Sequence, residues 1–300
     1  MILCDSHADT LHRMAVEPEG QYDLSLKRLQ EGGVSLQVLA LYVGADPARE
    51  AIEAVFRKMF AAKDRLVEEG WVQAMDPGEA RDGETRFMLS VEGCEPFEKG
   101  LDVIDRYRAL GVRMAAVTWN YENALATPAC LNQTDGLKPF GLRAVKRMQE
   151  QGIAVDVSHL NIPGFYDILN KTAAPPLASH SCCRALRDHP RNLTDSQLRD
   201  LFAAGGYVGV NFLPYFLTEK GQPCTPETVV DHIDHLHQMG GQGKVGFGSD
   251  FDGISEKPEG LDNPADFPRL LDALARRGYR EGDIRSIAGQ GLMDYYGRIG

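Results

Sequence analysis

Histidines and carboxylates that each follow a short apolar run are the residues of this sequence with the clearest capacity for chemistry. They are His7 and Asp9 in D-S-H-A-D, Glu92 in S-V-E-G, His159 in D-V-S-H, His180 in A-S-H-S and Asp250 in G-F-G-S-D. Imidazole nitrogens and carboxylate oxygens are ligands that Zn²⁺ takes in proteins. Residues two apart in a strand point to the same face, so His7 and Asp9 are predicted to project together.

The chain must bring these residues together through an alternating pattern of strands and helices. Apolar, β-branched runs alternate with helical patterns along the whole length, which is typical of repeated βα units and a parallel sheet. Eight strands are predicted: Ile2–Cys4, Val34–Val43, Phe87–Val91, Arg113–Thr118, Ile153–Val157, Pro176–Ala178, Tyr207–Phe212 and Lys244–Gly248. Eight such units predict that residues 1–300 form a single α/β domain, a closed (β/α)8 TIM barrel of the amidohydrolase-like kind. An open doubly wound sheet is the alternative, but no Gly-rich dinucleotide fingerprint supports it.

Helix-start signals separate several of the strands. Asp46-Pro47 offers an N-cap followed by proline at the first helical position. Thr194 and Gln197 form a capping box, and Thr225-Pro226 opens a further helix. These signals place helices where a βα barrel requires them.

The carboxyl ends of the strands are where a (β/α)8 barrel carries its active site. Every residue of the opening set follows a predicted strand, so we expect the whole set to meet at one mouth of the barrel. His7, Asp9, Glu92, His159 and His180 are too many ligands for one tetrahedral zinc. They suit two metals that share a bridging carboxylate.

Composition excludes several classes of protein. Hydrophobic residues make up 43% of the sequence and charged residues 25%, which is ordinary globular usage. A net charge of −11 without basic clusters argues against a nucleic-acid partner. The sequence shows no signal peptide and no apolar run of membrane-spanning length. Its six cysteines have no regular spacing, as expected of reduced thiols, so we expect a cytoplasmic protein without a membrane partner.

The same motifs carry a family resemblance. D-S-H-A-D, S-V-E-G, D-V-S-H, A-S-H-S, H-P-R-N-L-T-D and G-F-G-S-D-F-D-G, in this order and spacing, resemble the membrane dipeptidase (renal dipeptidase) family of zinc peptidases. The likeness spans nearly the full chain and implies a bacterial-type cytoplasmic member. It implies that His7, Asp9 and Glu92 hold one Zn²⁺, while Glu92, His159 and His180 hold the other. It further implies that Asp250 is the acid/base residue and that Arg191 binds the carboxylate of the dipeptide.

One position departs from the family pattern. Members of the renal type carry a substrate-binding histidine after the fourth strand, whereas Val117-Thr118-Trp119-Asn120 places Trp119 there. Indole donates one hydrogen bond and does not ionise near pH 7. We therefore expect Trp119 to contact substrate and to change the substrate range or the rate.

A second group of histidines looks rich in metal ligands but is interpreted differently. His232 and His235 share one face of the helix predicted after Thr225-Pro226, while Val229 and Ile233 mark its inward side. A solvated helix face is the interpretation for these two residues. Asp252, two residues after Asp250, is interpreted as a supporting or loop residue.

The sequence thus predicts a binuclear zinc dipeptidase that hydrolyses free dipeptides by a metal-bridging hydroxide, with Glu92 and Asp250 as its catalytic carboxylates. A D-residue at the carboxyl-terminal position is within the expected substrate range. The alternatives are a related amidohydrolase acting on another amide or a lactam, and a catalytically silent relative that binds metal and ligand. The expected partner is a small dipeptide, and a homodimer is a candidate assembly.

Overall fold

A closed ring of parallel strands forms the centre of the molecule in the computed structural model, which describes residues 1–42, 44 and 49–299. The strands are β1 (Cys4–Asp5), β2 (Leu36–Tyr42), β3 (Val72–Gln73), β4 (Arg86–Glu92), β5 (Val112–Ala116), β6 (Ala154–Asp156), β7 (Leu177–Ala178), β8 (Tyr207–Val210) and β9 (Val245–Phe247). The ring runs β1-β2-β4-β5-β6-β7-β8-β9 and closes between β9 and β1. The predicted (β/α)8 barrel is confirmed.

Helices follow most strands and cover the outside of the ring. They are α1 (Thr10–Val16), α2 (Leu26–Glu31), α3 (Arg49–Glu68), α4 (Leu101–Ala109), α5 (Pro139–Glu150), α6 (Ile162–Lys171), α7 (Asp195–Ala203), α8 (Pro214–Leu217), α9 (Pro226–Gln238), α10 (Phe267–Arg277), α11 (Glu281–Arg285) and α12 (Gly291–Ile299). Short 3₁₀ turns lie at Pro77–Glu79, Glu95–Lys99 and Pro264–Asp266, and a π turn lies at Ser286–Gln290. Within the described ranges, no helix is both long enough and apolar enough to cross a bilayer.

The short strand β3 lies outside the ring and was not among the eight predicted strands. It pairs with Arg86 and Phe87 at the start of β4, and β5 pairs with β4 only from Leu89 onward. Two residues cannot show a period-2 pattern, so no local signal indicated this strand.

The helix starts at Thr194 and at Thr225-Pro226 are found as predicted. The Thr194 hydroxyl accepts a hydrogen bond from the Gln197 amide at 3.3 Å, and α9 begins at Pro226. The predicted helix start at Asp46-Pro47 and the predicted strand end at Val43 lie outside the described residues.

Two apolar clusters hold the barrel together. The larger one packs the helices against the outer face of the strands. The smaller one joins strand residues such as Val38 and Met88 to Tyr295 of α12. The Tyr295 hydroxyl donates to the Pro175 carbonyl at 2.9 Å, just before β7 begins, so α12 covers the amino end of the ring. The polar candidate residues end or follow the strands and lie at the opposite, carboxyl end of the ring.

Candidate metal centre and substrate site

Glu92, the last residue of β4, lies at the centre of a buried group of imidazoles. Its Oε1 is 2.9 Å from Nε2 of His159 and 3.4 Å from Nε2 of His180, while its Oε2 is 3.5 Å from Nε2 of His7. One oxygen therefore faces a histidine pair and the other faces the third histidine. This is the arrangement that a carboxylate shared by two cations requires.

Two further carboxylates, Asp9 and Asp250, also lie near His7. The Nε2 of His7 is 3.8 Å from Asp9 Oδ1 and 3.8 Å from Asp250 Oδ1. Two groups of three residues thus have ligand-type atoms that lie within 4.8 Å of one another inside each group. One group is His7, Glu92 and His180, and the other is His7, Asp9 and Asp250. The six histidines and carboxylates that follow apolar runs in the sequence meet at one end of the barrel, as expected.

His7 and Asp9 reach this cluster by a route that differs from the predicted one. Strand β1 ends at Asp5, so the two residues are not successive positions of one strand. The chain stays beside the last strand through a single parallel bridge between Ala8 and Phe251. Asp9 then occupies the N-cap position of α1 without capping it, which leaves its carboxylate for the cluster.

Hydrogen bonds fix two of the imidazoles, those of His159 and His180, so that both present Nε2 to Glu92. Asn120 Oδ1 lies 2.8 Å from Nδ1 of His159. Ser179 Oγ lies 2.7 Å from Nδ1 of His180 and donates its own proton to Asp156. Because that hydroxyl has one proton, it accepts from His180, and Nε2 keeps its lone pair for a cation.

Left-handed backbone aims two of the cluster residues. His159 has φ = 67° and Asp250 has φ = 64°, a region that non-glycine residues seldom adopt. Asp252, also at φ = 64°, accepts hydrogen bonds from Thr10 Oγ1 and from the Asp23 amide, both at 2.6 Å. The interpretation of Asp252 as a supporting loop residue agrees with these contacts.

The buried carboxyl groups of the cluster lie so close together that their pKa values shift in different directions. Burial opposes ionisation of Glu92, yet His7 and the other two imidazoles hold the pKa of its carboxyl well below the usual range. Burial and the Glu92 charge raise the pKa of Asp9 well above its usual range, and burial raises that of Asp250 to about 6. Burial and Arg191 lower the pKa of His159 to about 4. Added positive charge would allow all three carboxylates to ionise together.

Unpaired buried atoms show that these residues fit divalent cations. His7 Nε2, Asp9 Oδ1 and Glu92 Oε2 are buried and have no hydrogen-bond partner among the described residues. A buried polar atom without a partner costs about 1–3 kcal/mol, so three in one cluster call for a ligand. Neutral imidazole nitrogens and carboxylate oxygens are the donors that zinc accepts.

Arg191 provides a buried cation next to the cluster. It lies between β7 and α7, is 5% exposed, and stacks its guanidinium over the Phe216 ring at 5.6 Å. In the part of the chain that the structure describes, its Nε has no hydrogen-bond partner and no carboxylate lies within ion-pair distance of its guanidinium. Asn192 secures the loop by donating to the Arg187 and Phe216 carbonyls, each at 2.9 Å. Such an arginine is ready to bind an anion.

Comparison with known protein families shows which family has a similar sequence. The sequence profile of the membrane dipeptidase family, peptidase family M19, matches residues 1–295. The chain belongs to this family.

Two solved structures and one curated protein illustrate the relationship. A metallo peptidase from Rhodobacter sphaeroides, solved with a phosphinate mimic of the dipeptide L-Ala-D-Ala, is 27% identical with a TM-score of 0.90, covering 100% of this chain and 99% of that one. The dipeptidase AC, a metallo peptidase of family M19, is 28% identical with a TM-score of 0.90, covering 99% and 98%. An uncharacterized dipeptidase of Schizosaccharomyces pombe is 34% identical over 209 residues, which are 69% of this chain and 51% of that protein. This chain therefore spans about half the length of that curated relative.

Trp119, the departure from the renal-type members of the dipeptidase family, lies at the rim of the cluster. Its ring centroid is 6.2 Å from that of His159 and 4.9 Å from that of Tyr42. Sequence reasoning did not single out Tyr42, which is the register partner of Glu92 on the neighbouring strand. An aromatic residue that ends a buried strand gives no local signal that separates a site from a core.

The helix-face interpretation of His232 is wrong. His232 is fully buried, its Nδ1 accepts from the Cys183 amide at 3.1 Å, and its Nε2 lies 2.9 Å from the Leu217 carbonyl. His235 is partly buried and lies 2.8 Å from Asp195. The loops after β7 and β8 pack over this face of α9, which local periodicity does not reveal.

Replacing His232 by leucine is expected to destabilise the protein. The change leaves the Cys183 N–H and the Leu217 C=O buried without partners, at a cost of about 1–3 kcal/mol for each group. Urea unfolding measures the loss in free energy of unfolding. His235→Ala is the matched control, since its pair with Asp195 is partly exposed to solvent and such pairs are worth only about 0–1 kcal/mol. Equal losses for the two variants would contradict a structural role for His232.

A separate cavity of about 680 Å³ lies between α3 and α4. Phe56, Phe60 and Tyr107 are among its lining residues, and none of the candidate ligands lines it. The cavity is therefore not part of the cluster described above.

Proposed function

We propose that this chain is a zinc-dependent dipeptidase that hydrolyses free dipeptides. The observation that carries the proposal is the buried Arg191, which has no ion-pair partner among the described carboxylates, beside a cluster in which Glu92 faces imidazoles with both oxygens. A cation-binding centre next to a fixed anion site suits a short substrate that ends in a carboxylate. Family membership supports the same reaction class.

Five side chains would hold two zinc ions. His7, Asp9 and Glu92 would hold one ion, and Glu92 would share the other with His159 and His180. When bound, such ions polarise a carbonyl group and lower the pKa of a coordinated water toward neutrality. Asn120 and Ser179 keep two of the imidazoles in the required tautomer.

Asp250 is proposed to move the proton. Asn211 Nδ2 donates to its Oδ2 at 2.8 Å, which leaves Oδ1 directed toward His7. Burial opposes ionisation of this carboxyl and raises its pKa to about 6 before the charge of bound cations is added. Oδ1 would accept the proton of the attacking water and deliver it to the departing amine, which is too basic to leave without one.

Arg191 is proposed to measure the length of the substrate. Its planar guanidinium binds both oxygens of a terminal carboxylate, at a fixed distance from the metal centre. One residue then separates the scissile carbonyl from the carboxylate, which defines a dipeptide. The Rhodobacter sphaeroides relative binds a mimic of L-Ala-D-Ala, and this supports a proposal that a D-residue is accepted at the carboxyl-terminal position.

Comparison of three substrates tests the proposal: a dipeptide, its carboxyl-terminal amide and the matching tripeptide. The wild-type, zinc-loaded enzyme should prefer the dipeptide, since a neutral amide opposite Arg191 leaves its donors poorly paired. Arg191→Ala should mainly raise KM, because a carboxylate is bound in the ground and transition states alike. Arg187→Ala is the matched control, because Arg187 lies on the same loop but pairs with Glu219 at 3.0 Å.

Equal kcat/KM for the three substrates would exclude the role of Arg191 and favour an amidohydrolase acting on another amide or a lactam. Binding of zinc and dipeptide without turnover would instead favour a silent relative. Both alternatives use the same site.

We further propose that residues 1–300 work as one domain in the cytoplasm. Pairing of Asp5 with Phe247 closes the ring, so the first and last strands belong to one barrel. All six cysteines are free thiols, which suits a reducing compartment.

A further inference from the structure

Three aromatic side chains line one side of the cluster. Tyr42, Trp119 and Tyr121, called the aromatic wall here, contact one another in sequence, with ring centroids 4.9 Å and 5.4 Å apart. Tyr42 is 8% exposed, Trp119 is partly exposed and Tyr121 is 37% exposed. The wall therefore leads from the buried cluster outward to solvent.

The inner end of the aromatic wall lies against candidate ligands. Tyr42 ends β2 opposite Glu92 of β4, so the two side chains leave neighbouring strands at the same level. Trp119 follows β5 and lies 6.2 Å from the His159 ring, measured between centroids. A substrate whose carbonyl lies at the cluster would have the wall on its β2 to β5 side.

Arg191 lies on the other side of the ring. Its guanidinium stacks on Phe216, which belongs to α8 directly after β8. In the order of the ring, β7, whose loop carries Arg191, is three strands from β4, and β8 is four strands from β4. The cluster thus lies between a cation on the β7 and β8 side and an aromatic surface on the β2 to β5 side.

We propose that the aromatic wall binds the side chain of the amino-terminal residue of the dipeptide and selects apolar side chains there. The inference rests on the proposed function, because it takes the carboxylate to be on Arg191 and the scissile carbonyl to be at the cluster. A dipeptide held in that way must extend its amino-terminal residue away from β8. Trp119 is then the residue that determines specificity.

The chemistry of the wall suits an apolar group and not an anion. Indole does not ionise, and a tyrosine hydroxyl, with an ordinary pKa of about 10, is neutral near pH 7. Flat aromatic faces gain most from covering apolar surface. An acidic side chain would lose its water there without gaining a cation from the wall. We therefore expect leucine or phenylalanine to be preferred over glycine, and glutamate to be disfavoured.

Dipeptides that differ only in the amino-terminal residue test the inference: Gly-Ala, Leu-Ala, Phe-Ala and Glu-Ala. In the wild type, kcat/KM for Leu-Ala should exceed that for Gly-Ala by about tenfold or more, the scale for apolar groups in a hydrophobic pocket. Trp119→Ala should remove most of this ratio by lowering kcat/KM for Leu-Ala and Phe-Ala far more than for Gly-Ala. Trp119→Phe should restore it. Calorimetry with phosphinate mimics of Leu-Ala and Gly-Ala should show the same loss of discrimination, with unchanged metal content.

Two controls separate the wall from a general effect. Tyr215→Ala removes a half-exposed aromatic residue on the β8 side and should leave the ratio intact. For dipeptides that differ only in the carboxyl-terminal residue, the ratios of kcat/KM should be the same in the wild type and in Trp119→Ala. Equal rates for Leu-Ala and Gly-Ala in the wild type, or a ratio that survives Trp119→Ala, would overturn the inference while the dipeptidase proposal stands. Failure of the wild type to cleave any dipeptide would overturn both.

Discussion

Replacing Glu92 by glutamine is expected to remove both metals and nearly all activity. Glu92 is 2% exposed and faces His7 with one oxygen and the His159 and His180 pair with the other. A neutral amide keeps the shape of the side chain but places an NH₂ donor against imidazole nitrogens that must also act as acceptors. One of the two proposed sites then meets a donor instead of a ligand.

The loss should be larger than that caused by removing one proton-transfer group, which is about 10²–10⁴-fold in rate. Both proposed cations would depend on this carboxylate for charge neutralisation, and no other carboxylate is shared between the two proposed ligand sets. Elemental analysis after gentle purification should therefore find less than one zinc per chain, against two in the wild type.

Glu95→Gln is the matched control for this experiment. Glu95 lies three residues further along the chain and outside both groups of ligand-type atoms. Burial raises the pKa of its carboxyl to about 7, so a substantial fraction is already neutral at that pH. The control should keep its metal and its turnover. A Glu92→Gln protein that retains two zinc ions would contradict a bridging role.

Asp250→Asn is expected to slow turnover by about 10²–10⁴-fold while metal content stays close to that of the wild type. Asparagine keeps the length of the side chain and can still accept the hydrogen bond from Asn211. It cannot take up the proton of the attacking water or return it to the amine. Single-turnover kinetics should place the defect in the chemical step.

The structure makes this experiment a real choice between two roles. Asp250 Oδ1 lies as far from His7 Nε2 as Asp9 Oδ1 does, and the three residues form one group of ligand-type atoms. If Asp250→Asn loses metal as Glu92→Gln is expected to, Asp250 is a ligand and another residue must move the proton.

Local sequence patterns predicted the architecture because barrels place their chemistry at strand ends. Each candidate ligand followed an apolar run, and in a closed parallel ring all such positions face one mouth. The same locality explains what was missed. Strand β3 is too short to show a period, and His232 is buried because the segments around Cys183 and Leu217 fold over it.

The supporting residues of the site were harder to predict than its centre. Asn120, Asp156 and Ser179 act through hydrogen bonds to the histidines or to one another, and each lies within one to three residues of a motif histidine or of Trp119. Short polar residues near strand ends also serve turns and caps, so type and spacing alone do not distinguish these uses. Only the packed barrel shows which imidazole each one touches.

The ring can close between β1 and β9 only after β9, the last strand, has been synthesised. Asp5 accepts hydrogen bonds from the Ser249 amide and hydroxyl, partners that are 244 positions apart in the chain. At a synthesis rate of about 5–20 residues per second, His7 and Asp9 leave the ribosome roughly 10–50 seconds before Asp250 exists. A nascent chain therefore displays His7 and Asp9, with unpaired strand edges, for the whole of that interval. All five proposed ligands are synthesised before the proposed proton carrier, and the first strand is a late partner in folding because β9 must be made before the ring can close.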